Sequence, residues 1–224
     1  MNILIACEES QAVTIEMRRL GHNAFSCDIL PCSGGHPEWH IQQDVLPLLN
    51  GFCCFKTQNM GEHDEPIWLL QKWDMIIGHP PCTYMSKAGA RWMYPTAGNI
   101  SEERLKLAME AKEFFFKMLN AKCKRIAVEN PVPLKVVGLP EPTCSVQPYE
   151  HGEPFSKKTC LWLKNLPPIT PTNIVSNYKP YLPSNTGGAK RGQKHSRGVA
   201  KNAKEASKTF KGVAQAMCEQ WGTF

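Results

Sequence analysis

Short apolar runs that alternate with helical patterns constrain the fold of this chain more than any other feature. The clearest runs lie at residues 2–6, 24–27, 73–77, 125–128 and 158–163, and a weaker one closes at 43–45. Continuous apolar runs of this length are typical of strands buried on both faces of a parallel sheet. Because helices separate most of them, the sequence predicts an α/β fold with a Rossmann-like, doubly wound, mostly parallel sheet.

The helices between these runs carry recognisable ends. Ser10 is the expected N-cap of a helix that reaches about Leu20, and Ser101 that of a longer helix. A last amphipathic helix is predicted from about Phe210 to Trp221. Four segments show no confident helical or strand pattern and are predicted to be loops, namely 51–65, 87–100, 131–155 and 165–198.

Two strand ends carry side chains suited to covalent chemistry. Cys82 lies in the run Gly-His-Pro-Pro-Cys-Thr-Tyr-Met-Ser directly after the strand at 73–77, and Glu129-Asn130 follows the strand at 125–128. Reaction centres of open α/β sheets gather at the carboxyl ends of the strands. A thiol and a carboxylic acid at this edge therefore predict a nucleophile and its partner acid.

The size and composition of the chain favour a single domain over 1–224 without a membrane segment. With 224 residues, 42% of them hydrophobic, it can bury one sizeable core. We expect a catalytic core over 1–164, an irregular basic segment over 165–209 and a C-terminal helix over 210–224 that packs back on the core. No apolar run approaches the roughly 20 residues of a membrane span and no basic leader precedes the first strand, which predicts a cytoplasmic protein. The ten cysteines form no Cys-x-x-Cys pair and are expected to be reduced.

The net charge of +6 is unevenly distributed. The first 186 residues carry 18 basic and 18 acidic residues, whereas the remainder carries eight basic residues against Glu205 and Glu219. A neutral body with a basic end segment suggests a polyanion partner, although a solvated surface loop explains the charge equally well.

The link between the first strand and its helix predicts the kind of cofactor. It reads Ala6-Cys7-Glu8-Glu9-Ser10 and lacks the glycine pattern of dinucleotide sites. Two acids there would repel a pyrophosphate, so a cofactor with a positive centre and no phosphate, such as S-adenosylmethionine, fits better. Asp28 lies where doubly wound folds bind ribose hydroxyls, and Asp44 is placed to accept from an adenine amino group. The candidate cofactor-binding residues are Ala6, Cys7, Glu8, Ser10, Asp28, Ile29, Asp44, Val45 and Pro80.

These motifs resemble those of the DNA cytosine-5 methyltransferases. The run from Gly78 to Ser86 is similar to their catalytic loop, which typically reads G-G-P-P-C-Q-x-F-S, and Glu129-Asn130-Pro131 is similar to their E-N-V motif. Asp28 and Asp44 follow in the order of the family's two cofactor-contacting acids. The chain is most similar to the short phage and prophage members, strongly over residues 1–131 and faintly afterwards. The resemblance implies the S-adenosylmethionine-dependent methyltransferase fold with a minimal or absent target-recognition domain.

The resemblance also implies roles for individual residues. Cys82 would add to C6 of a cytosine, Glu129 would act at N3 and the exocyclic amine, and Asn130 would fix the loop. Lys158 is the candidate catalytic cation, and Lys157 and Ser86 are candidates for contacting nucleic acid; ordinary surface lysines are the alternative. The target base is inaccessible inside a duplex, so the expected partner is double-stranded DNA with a flipped base.

Three departures from the family pattern bear on specificity. The family's glycine-rich first loop is replaced here by Cys7-Glu8-Glu9, and Thr83 stands in place of the Gln after the nucleophile. No compact target-recognition domain fits into 165–210. We expect phosphate contacts without sequence information from four basic residues, Lys190, Arg191, Lys194 and Arg197.

Other interpretations remain open at this point. The same chemistry on RNA or a free nucleotide, or transfer of a different sulfonium-derived group, is compatible with the motifs. A degenerate methyltransferase fold that only binds nucleic acid is a further alternative. Cys27, Cys32, His36 and His40 have zinc-like spacing, but buried thiols explain that segment better and no metal is predicted.

Overall fold

The structure is a computed structural model that describes residues 1–50, 53–69, 72–96, 98–182 and 198–223, apart from the side chains at 53, 69, 203 and 204. The strands are β1 (Asn2–Ala6), β2 (Asn23–Asp28), β3 (His40–Gln42), β4 (Cys53–Phe55), β5 (Ile67–Leu69), β6 (Met75–Gly78), β7 (Arg125–Pro131), β8 (Cys144–Val146), β9 (Phe155–Ser156), β10 (Thr159–Lys164) and β11 (Lys179–Pro180). The helices are α1 (Ala12–Arg19), α2 (Ala90–Met93), α3 (Glu102–Leu119), α4 (Ala203–Ser207) and α5 (Lys211–Trp221).

Seven of these strands form one mostly parallel sheet. Their order is β3-β2-β1-β6-β7-β10-β8, and the first five are parallel to one another. Only β10 runs against both of its neighbours, β7 and β8. The predicted doubly wound α/β sheet is thus confirmed. The chain reverses its direction of winding between β1 and β6, where such sheets open a crevice at the carboxyl ends of the strands.

The central strands are apolar throughout because both faces of the sheet are covered. Alternate residues of β1 point to opposite faces, so that Leu4 packs into one cluster and Ile5 into the other. Phe115 of α3 belongs to the first cluster, and Met17 of α1 and Trp221 of α5 belong to the second. This double burial explains why the strands read as continuous hydrophobic runs.

The first helix begins differently from the prediction. Ser10 is not the N-cap of α1; that position is Gln11, which has a positive φ of 58° and no capping side-chain bond. The carboxylate of Glu8 accepts instead from the amides of Val13 (2.7 Å) and Thr14 (3.2 Å). A carboxylate from outside the helix therefore satisfies the free amides of the first turn.

The longer helix begins as predicted. The hydroxyl of Ser101 accepts a hydrogen bond from the amide of Arg104 at 3.3 Å, which makes Ser101 the N-cap of α3. Glu102 and Glu103 in the first turn add favourable interactions with the helix dipole.

Several short strands lie where the sequence predicts loops. β4 pairs with β5 within and just after the predicted loop at 51–65, and β8, β9 and β11 lie in the Pro- and Gly-rich segments. β3 occupies His40–Gln42 rather than 43–45. Strands of two or three residues are too short to show a period in the sequence, and their pairing partners alone define them.

The last helix closes the structure against the body of the chain. α5 packs on α1, and Gly212 in its first turn touches the backbone at His151. A Cβ at Gly212 would lie 1.8 Å from the carbonyl oxygen of His151, so only glycine fits at this approach. Within the described ranges, none of the helices has the length and apolar character needed to cross a membrane.

Candidate active site

The segment after β6 forms a turn that presents Cys82. The carbonyl oxygen of Cys82 accepts from the amides of Met85 (3.1 Å) and Ser86 (3.0 Å). Two prolines directly before the cysteine fix the approach of the chain to this turn. The turn holds the thiol in a half-buried position.

Backbone hydrogen bonds tie this turn to the segment after β7. The amide of Lys87 donates to the carbonyl of Val132 (2.9 Å), and the amide of Leu134 donates to the carbonyl of Met85 (2.7 Å). Cys82 and the end of β7 are therefore held in one unit, although about 50 residues separate them in the sequence. Ser86, a candidate for contacting nucleic acid, is only 4% exposed inside this junction.

Arg104 of α3 braces the same turn from outside. Its Nη2 donates to the carbonyl oxygen of Thr83 at 3.0 Å. The guanidinium also lies over the rings of Tyr84 (4.9 Å) and Trp92 (5.3 Å). A planar cation with several donors suits this combined stacking and hydrogen bonding.

Two charged groups act on the thiol of Cys82. Burial and the nearby carboxylate of Glu129 raise the pKa of Cys82 to about 11, and the ammonium of Lys157 opposes that shift. The pKa of Lys157 is in turn lowered by burial, while Glu129 and Cys82 counteract the effect. The structure thus brings together the predicted nucleophile, the predicted acid and one lysine.

The neighbouring Lys158 does not join this group. Side chains alternate along an extended chain, and Leu161 of β10 lies opposite Glu129. Lys157 is four residues before Leu161 and shares its face, whereas Lys158 is exposed and acts on Cys160, whose burial-raised pKa it lowers. Lys158, the candidate catalytic cation from the sequence, therefore lies on the opposite face.

The amino group of Lys157 is held by the segment before α5. Its Nζ donates to the carbonyl oxygen of Lys208 at 3.2 Å and lies 5.9 Å from the ring centroid of Phe210. Phe210 and Glu129 line a small cleft with Lys157. The C-terminal helix thus contributes one wall of the candidate site.

His79 forms a close pair with Glu129. Its Nδ1 lies 3.2 Å from Oε2 of Glu129, and the two side chains are 11% and 15% exposed. The backbone amide of His79 donates to the carbonyl of Ala6 (2.9 Å), which places the imidazole between β1 and β7. The other ring nitrogen, Nε2, is buried and has no hydrogen-bond partner among the described residues.

Asn130 is completely buried beside this pair. Its Nδ2 donates to the carbonyl oxygen of Pro131 at 2.8 Å, and its Oδ1 has no partner within the described part of the chain. The amide therefore fixes the backbone where β7 ends, next to Glu129.

The link after β1 brings three of the candidate cofactor residues together. Cys7 has a positive φ of 60° and its amide donates to Cys27 (2.7 Å). Burial raises the pKa of Cys7, and the charges of Asp28, Cys27 and Asp44 raise it further. The carboxylates of Asp28 and Asp44 thus converge on Cys7 from the ends of β2 and β3, and each also accepts a local backbone amide.

Glu8 serves the fold at this link rather than facing the crevice. Both carboxylate oxygens are used, since Oε1 accepts from Val13 and Oε2 accepts from the amide and hydroxyl of Thr14. Burial raises the pKa of Glu8, while His79 and these hydrogen bonds oppose the shift. Glu8, a candidate cofactor-binding residue, therefore caps the first turn of α1 in this structure.

The remaining candidate cofactor residues are placed in different ways. Ile29 is 72% exposed at the end of β2, and Ser10 lies under Gly34, where a Cβ would come within 2.6 Å of the Ser10 carbonyl oxygen. Three candidates are buried, namely Ala6, Val45 and Pro80. The four basic candidates for phosphate contacts, Lys190, Arg191, Lys194 and Arg197, lie outside the described residues.

The residues with zinc-like spacing have other partners. Both ring nitrogens of His40 are engaged, Nδ1 with the hydroxyl of Ser26 (2.8 Å) and Nε2 with the carbonyl of Leu30 (2.9 Å). His36 pairs with Glu38 through its Nδ1. In the part of the chain that the structure describes, no three His, Cys, Asp or Glu side chains are grouped to hold a metal ion.

Sequence reasoning missed His79 and Arg104. His79 stands where the resembled pattern has its second glycine. A titratable residue in place of glycine next to the catalytic loop could have marked His79 as a candidate site residue. Arg104 lies in an ordinary helical pattern, and nothing local marks it as a brace for Thr83.

Comparisons with known proteins give matches among solved structures alone. No protein-family model matches the chain, and no curated protein does. Among solved structures, it is similar to an E. coli prophage-encoded protein assigned as a DNA modification methyltransferase, at 16% identity and a TM-score of 0.43. The match covers 78% of this chain and 52% of that one, so the chain spans about half of its length. A likeness this distant does not identify the chemistry of this chain.

Proposed function

We propose that this protein transfers a methyl group from S-adenosylmethionine to C5 of cytosine in DNA. The observation that carries the proposal is the grouping of Cys82, Glu129 and Lys157 at the carboxyl edge of the sheet, beside the switch point. A thiol, an acid and a cation in one half-buried site are the groups that addition to a pyrimidine ring needs. The sequence resemblance points to the same reaction.

Each of the three side chains has a distinct task in this proposal. The thiolate of Cys82 adds to C6 of the cytosine, and the electron pair moves through the ring so that C5 becomes nucleophilic. Glu129 supplies a proton at N3, which neutralises the charge that the addition creates. Lys157 stabilises the thiolate, because its positive charge lowers the pKa of Cys82. After C5 has gained the methyl group, its proton passes to solvent, N3 returns its proton to Glu129 and the thiolate departs, which restores the aromatic ring.

The residues at the switch-point crevice fit a cofactor that has hydroxyl groups and a positive charge but no phosphate. The carboxylate of Glu8 already satisfies the first amides of α1, where a phosphate would otherwise bind. Asp28 would hold the ribose hydroxyls and Asp44 the adenine amino group. S-Adenosylmethionine is a cofactor of this kind, and when bound it supplies a methyl group on a sulfonium centre.

DNA is the proposed acceptor because the basic charge is concentrated at one end of the chain. All of the net charge of +6 comes from the residues after 186. A basic segment beside a neutral body provides phosphate contacts of the kind that hold DNA without reading its sequence. The target base would have to leave the duplex to reach Cys82.

The experiment that tests the proposal compares acceptors directly. Purified protein is incubated with methyl-labelled S-adenosylmethionine and DNA, RNA or deoxycytidine triphosphate, and the nucleosides are analysed by mass spectrometry. We expect 5-methyldeoxycytidine from DNA with the wild type and none with Cys82→Ala. Labelled RNA or nucleotide in place of DNA would move the proposal to that acceptor, and no labelled product from any of them would reject it.

A further inference from the structure

His79 lies between the two halves of the candidate site. Its backbone amide is bonded to Ala6 of β1, and its Nδ1 reaches Glu129 of β7 across 50 positions of sequence. The imidazole therefore touches the acid that the proposed reaction requires. The resembled loop typically has glycine here, which has no side chain to make this contact.

Charged groups from three different segments surround the imidazole. Glu129 contacts it from β7, Glu8 acts on it from the link before α1, and Lys157 acts on it from the segment before β10. Burial lowers the pKa of His79, but the hydrogen bond and charge of Glu129, together with the charge of Glu8, outweigh burial and Lys157 and raise the pKa. Two carboxylates against one ammonium favour the imidazolium form.

The stability of the fold alone does not account for His79. Its Nε2 is buried without a partner among the described residues, and a buried polar atom without a hydrogen bond destabilises a fold. A glycine at the same position would remove that atom and leave the backbone bond to Ala6 in place. The one side-chain hydrogen bond that the imidazole makes among the described residues is that of Nδ1 with Glu129.

A carboxylic acid by itself is a poor source of protons at neutral pH. An unperturbed glutamate has a pKa near 4.3 and is almost fully ionised at pH 7, whereas an unperturbed histidine has a pKa near 6.5. A histidine between two carboxylates retains its proton at higher pH than an isolated one. The imidazole of His79 can thus hold a proton at a pH where an unperturbed carboxylic acid has lost it.

We propose that His79 is a positioning residue that orients Glu129 and stores the proton which Glu129 delivers to the substrate ring; this rests on the function proposed above. The proton leaves Nδ1 of His79 for Glu129, and Glu129 passes a proton to N3 of the base as the bond from Cys82 to C6 forms. His79 is then neutral and Glu129 is unchanged. When the thiolate departs, the N3 proton returns by the same path, so this relay itself neither gains nor loses a proton; the C5 proton leaves separately to solvent.

Proton transfer from His79 to Glu129 would also favour the thiolate form of Cys82. The ionised carboxylate of Glu129 contributes to the raised pKa of Cys82. When the proton resides on Glu129, that negative charge beside the thiol is removed and the thiolate forms more easily. Protonation of the ring and activation of the thiol are therefore coupled through one proton.

The test uses two substitutions at His79 and one control. His79→Asn keeps an N–H donor close to the position of Nδ1 but cannot store a proton, and His79→Gly restores the residue of the resembled loop. His63→Asn removes an exposed histidine of the β4–β5 connection and serves as the control. The pH dependence of kcat/KM for methyl transfer is measured for all four proteins.

We expect the wild type and His63→Asn to share one profile. His79→Asn should lose activity at a lower pH than the wild type does, because an asparagine cannot store a proton for Glu129. At pH 7.5 this corresponds to a loss of roughly a hundredfold, at the lower end of what general acid catalysis contributes. A profile of His79→Asn or His79→Gly that superimposes on the wild type overturns the proposal.

A titration that needs no activity separates this proposal from the proposed function. The imidazole signal that disappears from the NMR spectrum of His79→Asn identifies His79, and its midpoint is then compared in the wild type and Glu129→Gln. A midpoint that falls in Glu129→Gln supports the stored proton, and an unchanged one overturns it. If the midpoint falls while no acceptor is methylated, the proposed reaction is rejected, but the coupling between His79 and Glu129 is supported.

Discussion

Side chains alternate between the two faces of an extended chain, and this alternation decides whether Lys157 or Lys158 acts on Cys82. Lys157 and Lys158 are adjacent and chemically identical, and nothing in the residue type distinguishes them. Only the pairing of Leu161 with Glu129 shows which face belongs to the site, and Lys157 is on it. A local pattern therefore predicted a catalytic lysine at this place, but it named Lys158, whereas Lys157 is the lysine that acts on Cys82.

Replacing the lysine that faces the site should make the thiol less reactive. Lys157→Met removes the charge that lowers the pKa of Cys82, so the pKa rises and the thiolate fraction falls by roughly tenfold for each pKa unit. The rate of Cys82 alkylation by iodoacetamide, followed by peptide mass spectrometry at a fixed pH below the thiol pKa, measures this. Lys158→Met is the matched control and should leave the rate unchanged. Equal effects of both substitutions would contradict the assignment.

Contacts between distant segments explain what the sequence did not reveal at the residue scale. Cys82 and Glu129 were predicted because each follows a clear strand. The pairing of His79 with Glu129 and the brace from Arg104 to Thr83 depend on the registry of strands and helices that are far apart in the sequence. No local period encodes such a contact.

At the scale of elements, the buried strands were predictable and the short edge strands were not. β1, β2, β6 and β7 are apolar because both sheet faces are covered, and that burial makes them visible in the sequence. β4, β5, β9 and β11 have two or three residues each and are defined by their partners. The same reasoning misplaced the cap of α1, because Glu8 reaches the helix from three residues before its N-cap.

The cap of α1 gives a pH-dependent prediction. Burial raises the pKa of Glu8 in the folded state, so the folded protein favours the protonated form of this side chain. The stability that Glu8 contributes is therefore present below the pKa of an unfolded glutamate, near 4.3, and is lost as the pH rises through the pKa of Glu8 in the folded state. Glu8→Gln cannot ionise, so the wild type should lose stability relative to this variant over that range. Urea unfolding between about pH 4 and pH 8 measures the difference. A difference that does not change, or that grows in favour of the wild type as pH rises, would contradict the buried cap.

The first turn of α5 gives a second prediction at this scale. Gly212→Ala places a Cβ against the carbonyl oxygen of His151, and because that neighbour is backbone the helix has to move. We expect a loss of about 1–3 kcal/mol in the free energy of unfolding, as for other overpacked positions. Glu219→Ala, on the exposed face of the same helix, is the control and should change stability by less than about 0.5 kcal/mol. Equal stability of Gly212→Ala and the wild type would mean that α5 does not pack at this distance.

At the scale of the whole molecule, four separate segments supply one site. The turn at Cys82, the end of β7, the segment before β10 and the link after β1 meet beside the switch point of the sheet. The doubly wound order was predictable from alternating strands and helices, and with it the edge at which chemistry would be found. The segment with the four basic candidates lies outside the described residues, so its role remains a prediction from charge.

The basic segment should act through charge alone. Replacing Lys190, Arg191, Lys194 and Arg197 with Gln should weaken DNA binding to a similar extent for all sequences. Each lost phosphate contact should reduce the slope of log K against log salt by about 0.9. Fluorescence anisotropy at several salt concentrations measures that slope. An unchanged slope would show that these residues do not contact phosphates.

Covalent trapping tests the central claim most directly. DNA that contains 5-fluorocytosine is incubated with the protein and S-adenosylmethionine; fluorine at C5 cannot leave as a proton does, so an adduct formed by the proposed reaction persists. We predict a protein–DNA species whose digested peptide carries the modified nucleotide on Cys82 and which is absent with Cys82→Ala. An adduct on another residue, or none with folded and cofactor-bound protein, would contradict the account.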